Sequence, residues 1–315
     1  MKNRRSFIIG LKSTTLNLNE KFFLKKYKPW GVILFTRNIK SISQTKKLTN
    51  NIKTIFNDQK YPILIDQEGG RVDRLTNLVN SSIFTGKFFG NLYNKDVNKF
   101  KLYYNIFVDQ TSHLLREIGV NINTVPLLDL KHKKTSSIIG DRSYGSNPKI
   151  VSKIGDYCIS QFHKNNIGTV IKHIPGHGLA KVDSHKSTPI IKNSLKSLIK
   201  TDFSTFKNKK SFFAMTAHII YKDIDKIFTA THSNKVINII KNKIKFKNII
   251  ISDDISMKGL KFSINDNTIK AFNAGCHLVL HCNGNLKEML KVAKNSPIIS
   301  KFLIKKTSQF YKILS

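Results

Sequence analysis

Apolar residues fall in short runs that mostly close on polar or ionisable residues: Phe7–Leu11, Gly31–Phe35, Ile63–Asp66, Val120–Leu130, Thr169–His173, Phe212–His218, Ile249–Asp254 and Leu278–Cys282. Lysine- and asparagine-rich segments long enough for a helix lie between most of them, among them Ser43–Asn57, Tyr103–Ile118, Val151–Asn165 and Thr231–Lys243. Buried strands alternating with helices predict βα units and a parallel sheet. Eight such runs predict a closed (β/α)8 TIM barrel, taken over residues 1–315 as one catalytic domain. The alternative is an open doubly wound sheet. No GxGxxG or P-loop follows an early run, which argues against a nucleotide-binding version of it.

In a barrel the C-terminal ends of the strands face the active site. Here those ends read Arg37-Asn38, Asp66-Gln67-Glu68, Asp129, Lys172-His173, His218, Asp253-Asp254 and His281. Structural strand ends usually carry turn formers, so this gathering of ionisable groups points to chemistry at one face.

Four phrases carry that chemistry. In Asp66-Gln67-Glu68-Gly69-Gly70-Arg71-Val72-Asp73-Arg74, two glycines after carboxylates let the backbone turn tightly over a ligand, and carboxylate and guanidinium can hydrogen-bond the hydroxyls of a polar substrate. The bland reading is a salt-bridged turn. In Lys172-His173-Ile174-Pro175-Gly176-His177, the two histidines have the spacing of metal ligands on a helix, but Pro175 and Gly176 forbid that helix. The following Asp183-Ser184-His185 reads as acid/base machinery, because a neighbouring carboxylate favours the imidazolium and lets His185 donate a proton at neutral pH. In Ile249-Ile250-Ile251-Ser252-Asp253-Asp254, the isoleucines place Asp253 at the mouth of a buried strand, as a nucleophile or as an electrostatic stabiliser of a cationic transition state. Asp254 is expected to help hold the loop. Gly140-Asp141-Arg142-Ser143-Tyr144-Gly145 adds an arginine able to anchor a hydroxyl or an anion.

Composition changes this picture little. Lys and Arg number 54 against 19 Asp and Glu, a net charge of +35, which by itself suggests a polyanion partner. The basic residues are spread along the chain together with much Asn and Ile, the signature of an AT-rich coding sequence, so they read as a solvated surface. No specific nucleic-acid motif is present. Cys158, Cys276 and Cys282 are odd in number and form no CxxC, which fits a reducing compartment. The apolar run after Lys2, Arg4 and Arg5 is cut short by Gly10 and Lys12, too early for a secretion signal. No stretch approaches the roughly 18 apolar residues of a membrane span. The expectation is a cytoplasmic monomer that touches no membrane.

Together these phrases make the chain resemble a bacterial β-N-acetylhexosaminidase of glycoside hydrolase family 3, the type that acts in peptidoglycan recycling. The resemblance runs in order from Gly31–Asn38 through Asp66–Arg74, Asn123–Leu130, Gly140–Gly145, Lys172–His185 and Ala214–Asp225 to Ile251–Gly259 and Ala274–Asn283. It implies a single (β/α)8 barrel, with Asp253 as the nucleophile of a retaining mechanism and His185 as a mobile general acid/base partnered by Asp183. It further implies that Asp66, Arg74, Arg142, Lys172 and His173 bind N-acetylglucosamine, that no metal or organic cofactor takes part, and that the partner is a carbohydrate. The implied substrate is a GlcNAc-1,6-anhydro-muropeptide, cleaved from its terminal GlcNAc. Activity should then fall on the alkaline side as His185 loses its proton, and on the acid side as Asp253 gains one. A histidine acid/base is neutral after donating and does not repel an incoming anion, which leaves phosphorolysis open on the same scaffold. A non-catalytic polyanion-binding barrel is the other alternative. One departure is His277, where the family usually has Asp after Ala274-Gly275-Cys276; its expected effect is on local hydrogen bonding.

Overall fold

The computed structural model describes residues 1–133, 137–184 and 187–314. Eight parallel strands close into a barrel: β1 (Arg5–Gly10), β2 (Pro29–Leu34), β3 (Ile63–Ile65), β4 (Ile122–Asn123), β5 (Gly168–Ile174), β6 (Phe213–Thr216), β7 (Ile249–Asp254) and β8 (Leu278–His281). Each pairs with its neighbours in sequence, and β8 returns to β1 through Phe7 with Val279, Ile8 with Leu280 and Ile9 with His281. The fold is therefore the expected (β/α)8 barrel, and the open sheet is excluded. The run Val120–Leu130 yields only a two-residue strand. Pro126 has no N–H to give to a ladder, and beyond it the chain touches β5 through an isolated Leu127–Lys172 bridge.

Alternation along the strands builds two layers of core. Ile8, Leu64, Ile122, Val170, Met215, Ile251 and Leu280 fill the barrel interior, while Phe7, Ile9, Val32, Leu34, Ile63 and Ile65 face outward under the helices. Those helices, among the described residues, are α1 (Leu18–Tyr27), α2 (Ile42–Phe56), α3 (Gly86–Lys95), α4 (Val97–Glu117), α5 (Pro148–Lys164), α6 (Leu195–Lys200), α7 (Asn234–Asn242), α8 (Ile264–Ala274), α9 (Leu286–Asn295) and α10 (Lys301–Tyr311). Every one starts on an Asn, Ser, Thr or Asp whose side chain accepts a first-turn N–H, from Asn17 at α1 to Ser300 at α10. Helix α10 closes the end opposite the mouth: Leu303 and Phe310 join the interior cluster, and the buried Trp30 indole donates to Thr307 Oγ1 at 2.9 Å. No described helix is long and apolar enough to cross a membrane.

Helix α3 positions part of the mouth by having no side chains where it meets it. A Cβ on Gly86 would lie 2.0 Å from the Arg142 carbonyl oxygen, and one on Gly90 would lie 1.7 Å from that of Tyr144. The segment carrying Arg142 therefore rests backbone to backbone on one face of this helix. In an exposed helix, alanine is the better residue by about 1 kcal/mol. Here the sign reverses: Gly90→Ala is expected to destabilise by about 1–3 kcal/mol through overpacking. Urea unfolding checks this, and an unchanged or raised midpoint would show that the contact is not tight.

Candidate active site

The mouth is built from side chains at the ends of consecutive strands. Asp66 follows β3, and its Oδ1 receives Lys172 Nζ at 2.6 Å and the Thr124 hydroxyl. Its Oδ2 faces Arg74 Nη2 at 3.6 Å. Two residues on, Glu68 meets the same lysine at 2.6 Å and takes a two-pronged bond from Arg142, with Nε at 2.8 Å and Nη2 at 2.7 Å. Lys172 is 1% exposed and so acts as a buried cation clamping two carboxylates from one loop. That loop is folded by its own polar groups: Gln67 Oε1 accepts the Arg74 and Leu75 N–H groups, and Asp73 accepts the Leu75 N–H and the Ser81 hydroxyl.

Burial alone would raise both acids. The Arg142 and Lys172 charges nevertheless hold Glu68 down to about 2, and Lys172 and Arg74 hold Asp66 lower still. Burial likewise works against the Arg142 charge, and Glu68 overcomes it, raising the guanidinium above its ordinary value. Asp66, Glu68 and Arg142 are thus charged across the physiological range.

Lys172 and His173 are adjacent in β5, where simple alternation would send them to opposite faces. The ladder to β6 changes register between Ile171 and Ile174, and both side chains reach the mouth. His173 Nδ1 lies 2.7 Å from Asp129 Oδ2, and its Nε2 lies 3.9 Å from Asp253 Oδ2. Asp253, one residue before the end of β7, is half-buried, with Oδ1 accepting the Asp254 N–H at 2.8 Å. Asp254 points elsewhere, accepting the Ser256 and Cys282 N–H groups and the Ser256 hydroxyl, and so holds the loop as expected. Beneath the pair, the fully buried His218 bridges Thr231 Oγ1 at 2.7 Å and the Asp254 carbonyl at 3.0 Å.

Asp129, fully buried, also accepts the N–H of His177 at 2.6 Å. Burial works to raise its carboxyl, but His173 and His177 bring it below the usual carboxylate range. His177 is pushed down to about 4 by burial, and its Nε2 meets Ser184 Oγ at 3.1 Å, one residue past Asp183. His185 lies outside the described residues.

Of the sequence candidates, Asp66, Arg74, Arg142 and Lys172 thus converge in one network, and His173 and Asp253 face each other beside it. Asp183 is the chain neighbour of Ser184, whose Oγ meets His177. Glu68 and Asp129 were not singled out, although both stand at strand ends in the phrases quoted; the carboxylate ahead of Gly69-Gly70 was the available signal for Glu68. His277 lies where β8 begins, its Nδ1 accepting the Ile250 N–H at 2.9 Å and its ring stacked on Phe302. Burial pushes it down to about 4, so it serves as a neutral acceptor, an effect on local hydrogen bonding as expected.

A barrel mouth of alternating fixed carboxylates and cations, with a strand-end aspartate at its centre, is suited to gripping hydroxyls around one reacting carbon; this is the architecture of a (β/α)8 glycoside hydrolase. Residues 8–309 match the glycosyl hydrolase family 3 N terminal domain, and the chain belongs to that family. Among its relatives, the beta-hexosaminidase of Thioalkalivibrio sulfidiphilus is 30% identical over 281 residues, covering 88% of this chain and 80% of that protein. The beta-hexosaminidase of Actinobacillus pleuropneumoniae serotype 3 is 31% identical over 288 residues, with the same coverage of 88% and 80%. The crystal structure of NagZ from Neisseria gonorrhoeae in complex with N-trifluoroacetyl-D-glucosamine superposes with a TM-score of 0.88 at 26% identity, covering 98% of this chain and 90% of that one.

Proposed function

We propose that the protein is a retaining, exo-acting β-N-acetylglucosaminidase that removes terminal GlcNAc from GlcNAc-1,6-anhydro-muropeptides in cell-wall recycling. The observation that carries the reading is the Asp253 carboxylate at the end of β7, opposite His173 and beside the Asp66–Lys172–Glu68–Arg142 network. Relatives named beta-hexosaminidases, and a solved relative holding an N-acylated glucosamine, support the sugar unit.

In this mechanism Asp66, Arg74, Arg142, Lys172 and His173 bind the terminal sugar, with Glu68 holding Arg142 and Lys172 in place. An Asp253 oxygen attacks the anomeric carbon while the bond to the leaving oxygen breaks. His185, kept protonated by Asp183, gives that oxygen its proton. The resulting glycosyl ester is opened by water, whose proton returns to the imidazole, so that two inversions give net retention. The charged network is preformed, so binding needs little reorganisation of the protein.

The test is release of the aryl group from an aryl N-acetyl-β-glucosaminide, with and without phosphate, following the first-formed anomer by NMR. β-GlcNAc as the first product, at a rate indifferent to phosphate, supports the reading. A sugar phosphate that forms only with phosphate present would make the protein a phosphorylase, and no turnover under any condition would overturn the assignment. Anhydro-muropeptide as substrate then tests the physiological part of the proposal.

A further inference from the structure

The two ladders that β7 makes differ at its end. Towards β6 the pairing is regular, Phe213 with Ile249, Ala214 with Ile250 and Met215 with Ile251. Towards β8 it slips: Leu278 pairs with Ile251 but Leu280 with Asp254, so three steps along β7 answer two along β8. The extra residue makes a bulge that falls on Ser252 and Asp253. A bulge bends its strand and re-aims the side chains it carries. Strand β5 slips by the same amount against β6 at Lys172 and His173, the other pair that reaches the mouth.

Polar groups hold the bulge in β7 on both edges. The Ser252 hydroxyl, fully buried, accepts the Leu280 N–H at 2.9 Å, and the Leu280 carbonyl accepts the Ile255 N–H at 3.0 Å. Asp253 and Asp254 lie between these two bonds. On the other edge, His218 Nε2 donates to the Asp254 carbonyl at 3.0 Å while Nδ1 of the same ring meets Thr231 Oγ1 at 2.7 Å. The Asp254 N–H turns to the neighbouring carboxylate, donating to Asp253 Oδ1 at 2.8 Å, and Asp253 Oδ2 lies 3.9 Å from His173 Nε2.

We propose that Ser252 is a positioning residue for Asp253: its hydroxyl stitches the bulge to β8 and so fixes the direction in which the carboxylate leaves the strand. A buried N–H left without its acceptor is costly. Without the hydroxyl, the Leu280 N–H therefore draws the bulged backbone towards itself, and the Asp253 carboxylate moves with the backbone that carries it. Attack on an anomeric carbon tolerates little of this, since a misplacement of about 1 Å costs about a hundredfold in rate. His218 restrains the same bulge from the opposite edge.

The inference rests on the activity and the nucleophile proposed above, and its test keeps the failures apart. Turnover of the aryl glycoside by wild type, and its loss in Asp253→Ala with recovery by azide, check that reading; if either is not seen, the reading falls and this inference with it. With both in hand, Ser252→Ala is made alone and in the Asp253→Ala background. Alone it is expected to lower kcat by about 10- to 100-fold with KM changing less than about threefold, at a temperature where circular dichroism shows it folded. In the Asp253→Ala background the azide-dependent rate should change less than about threefold, because no carboxylate is left to aim. An unchanged kcat, a loss confined to KM, or an equal loss in both backgrounds would each show that Ser252 does not act through Asp253. His218→Asn shortens the side chain out of reach of the Asp254 carbonyl and serves if Ser252→Ala does not fold. It is expected to lower kcat about tenfold, and only where Asp253 is present; an unchanged kcat would overturn the role of the bulge.

Discussion

Asp253→Ala is expected to lower kcat on an aryl N-acetyl-β-glucosaminide by on the order of 10⁴-fold or more, a loss of about 5 kcal/mol of transition-state stabilisation. The fold should survive. Asp253 lies at the mouth, outside both core layers, and its removal takes the acceptor from the Asp254 N–H. Such a loss costs about 1–3 kcal/mol, small beside what a barrel of this size buries. Circular dichroism and Tm close to wild type would separate a chemical defect from a structural one. Azide added to the variant is expected to restore aryl release and give the α-glycosyl azide, because a small anion entering the vacated space attacks once and inverts. Retention of more than about a hundredth of wild-type kcat, with no effect of azide, would mean that the carboxylate is not the nucleophile.

Lys172→Met is expected to damage stability as well as activity. The lysine lies 2.6 Å from both Asp66 and Glu68 and is buried, and removing one partner from a buried charge cluster costs about 3–5 kcal/mol. Arg142 continues to hold Glu68, whereas Asp66 keeps only Arg74 at 3.6 Å and the Thr124 hydroxyl. The pH dependence gives the sharper signature. Glu68 and Asp66 are depressed in the folded state, so their stabilisation is complete above the unfolded value near about 4.3 and is lost as pH falls towards the folded value. For Glu68 that value is about 2. The gap between wild type and Lys172→Met should therefore be widest between pH 7 and 5 and narrow towards pH 2, while wild-type Tm itself already declines below about pH 6.5, because His177 and His277, pushed down to about 4 by burial, take up protons in the unfolded chain first. A gap that stays constant with pH would mean that the lost stability came from packing of the lysine stem rather than from its charge.

How much of this was legible beforehand differs from element to element. All eight barrel strands coincide with apolar runs, because a strand covered on both faces must be apolar nearly throughout. Helix α5 was foreseen to within a few residues, with Pro148 at its start and Asn147 capping it. Helix α3 was not foreseen: two glycines within ten residues argue against a helix, and their reason is a loop more than fifty residues away. The closing role of α10 was equally invisible, since nothing near Leu303 or Phe310 tells which end of a barrel they will meet.

The sequence by itself determined the kinds of groups available, the order of strands and helices, and the placing of ionisable residues at strand ends; these follow from local periodicity, capping and residue chemistry. Only the tertiary structure decided that Lys172 is a buried clamp for two carboxylates, that Arg142 is engaged with Glu68, and that Asp129 joins His173 to His177. These partners stand 44 to 106 residues apart along the chain, apart from the nearby His173 and His177. Their pairing has no local signal because it is fixed by closure of the barrel, which brings the ends of β3, β4, β5 and β7 to one rim and removes enough water for the charges to choose one another.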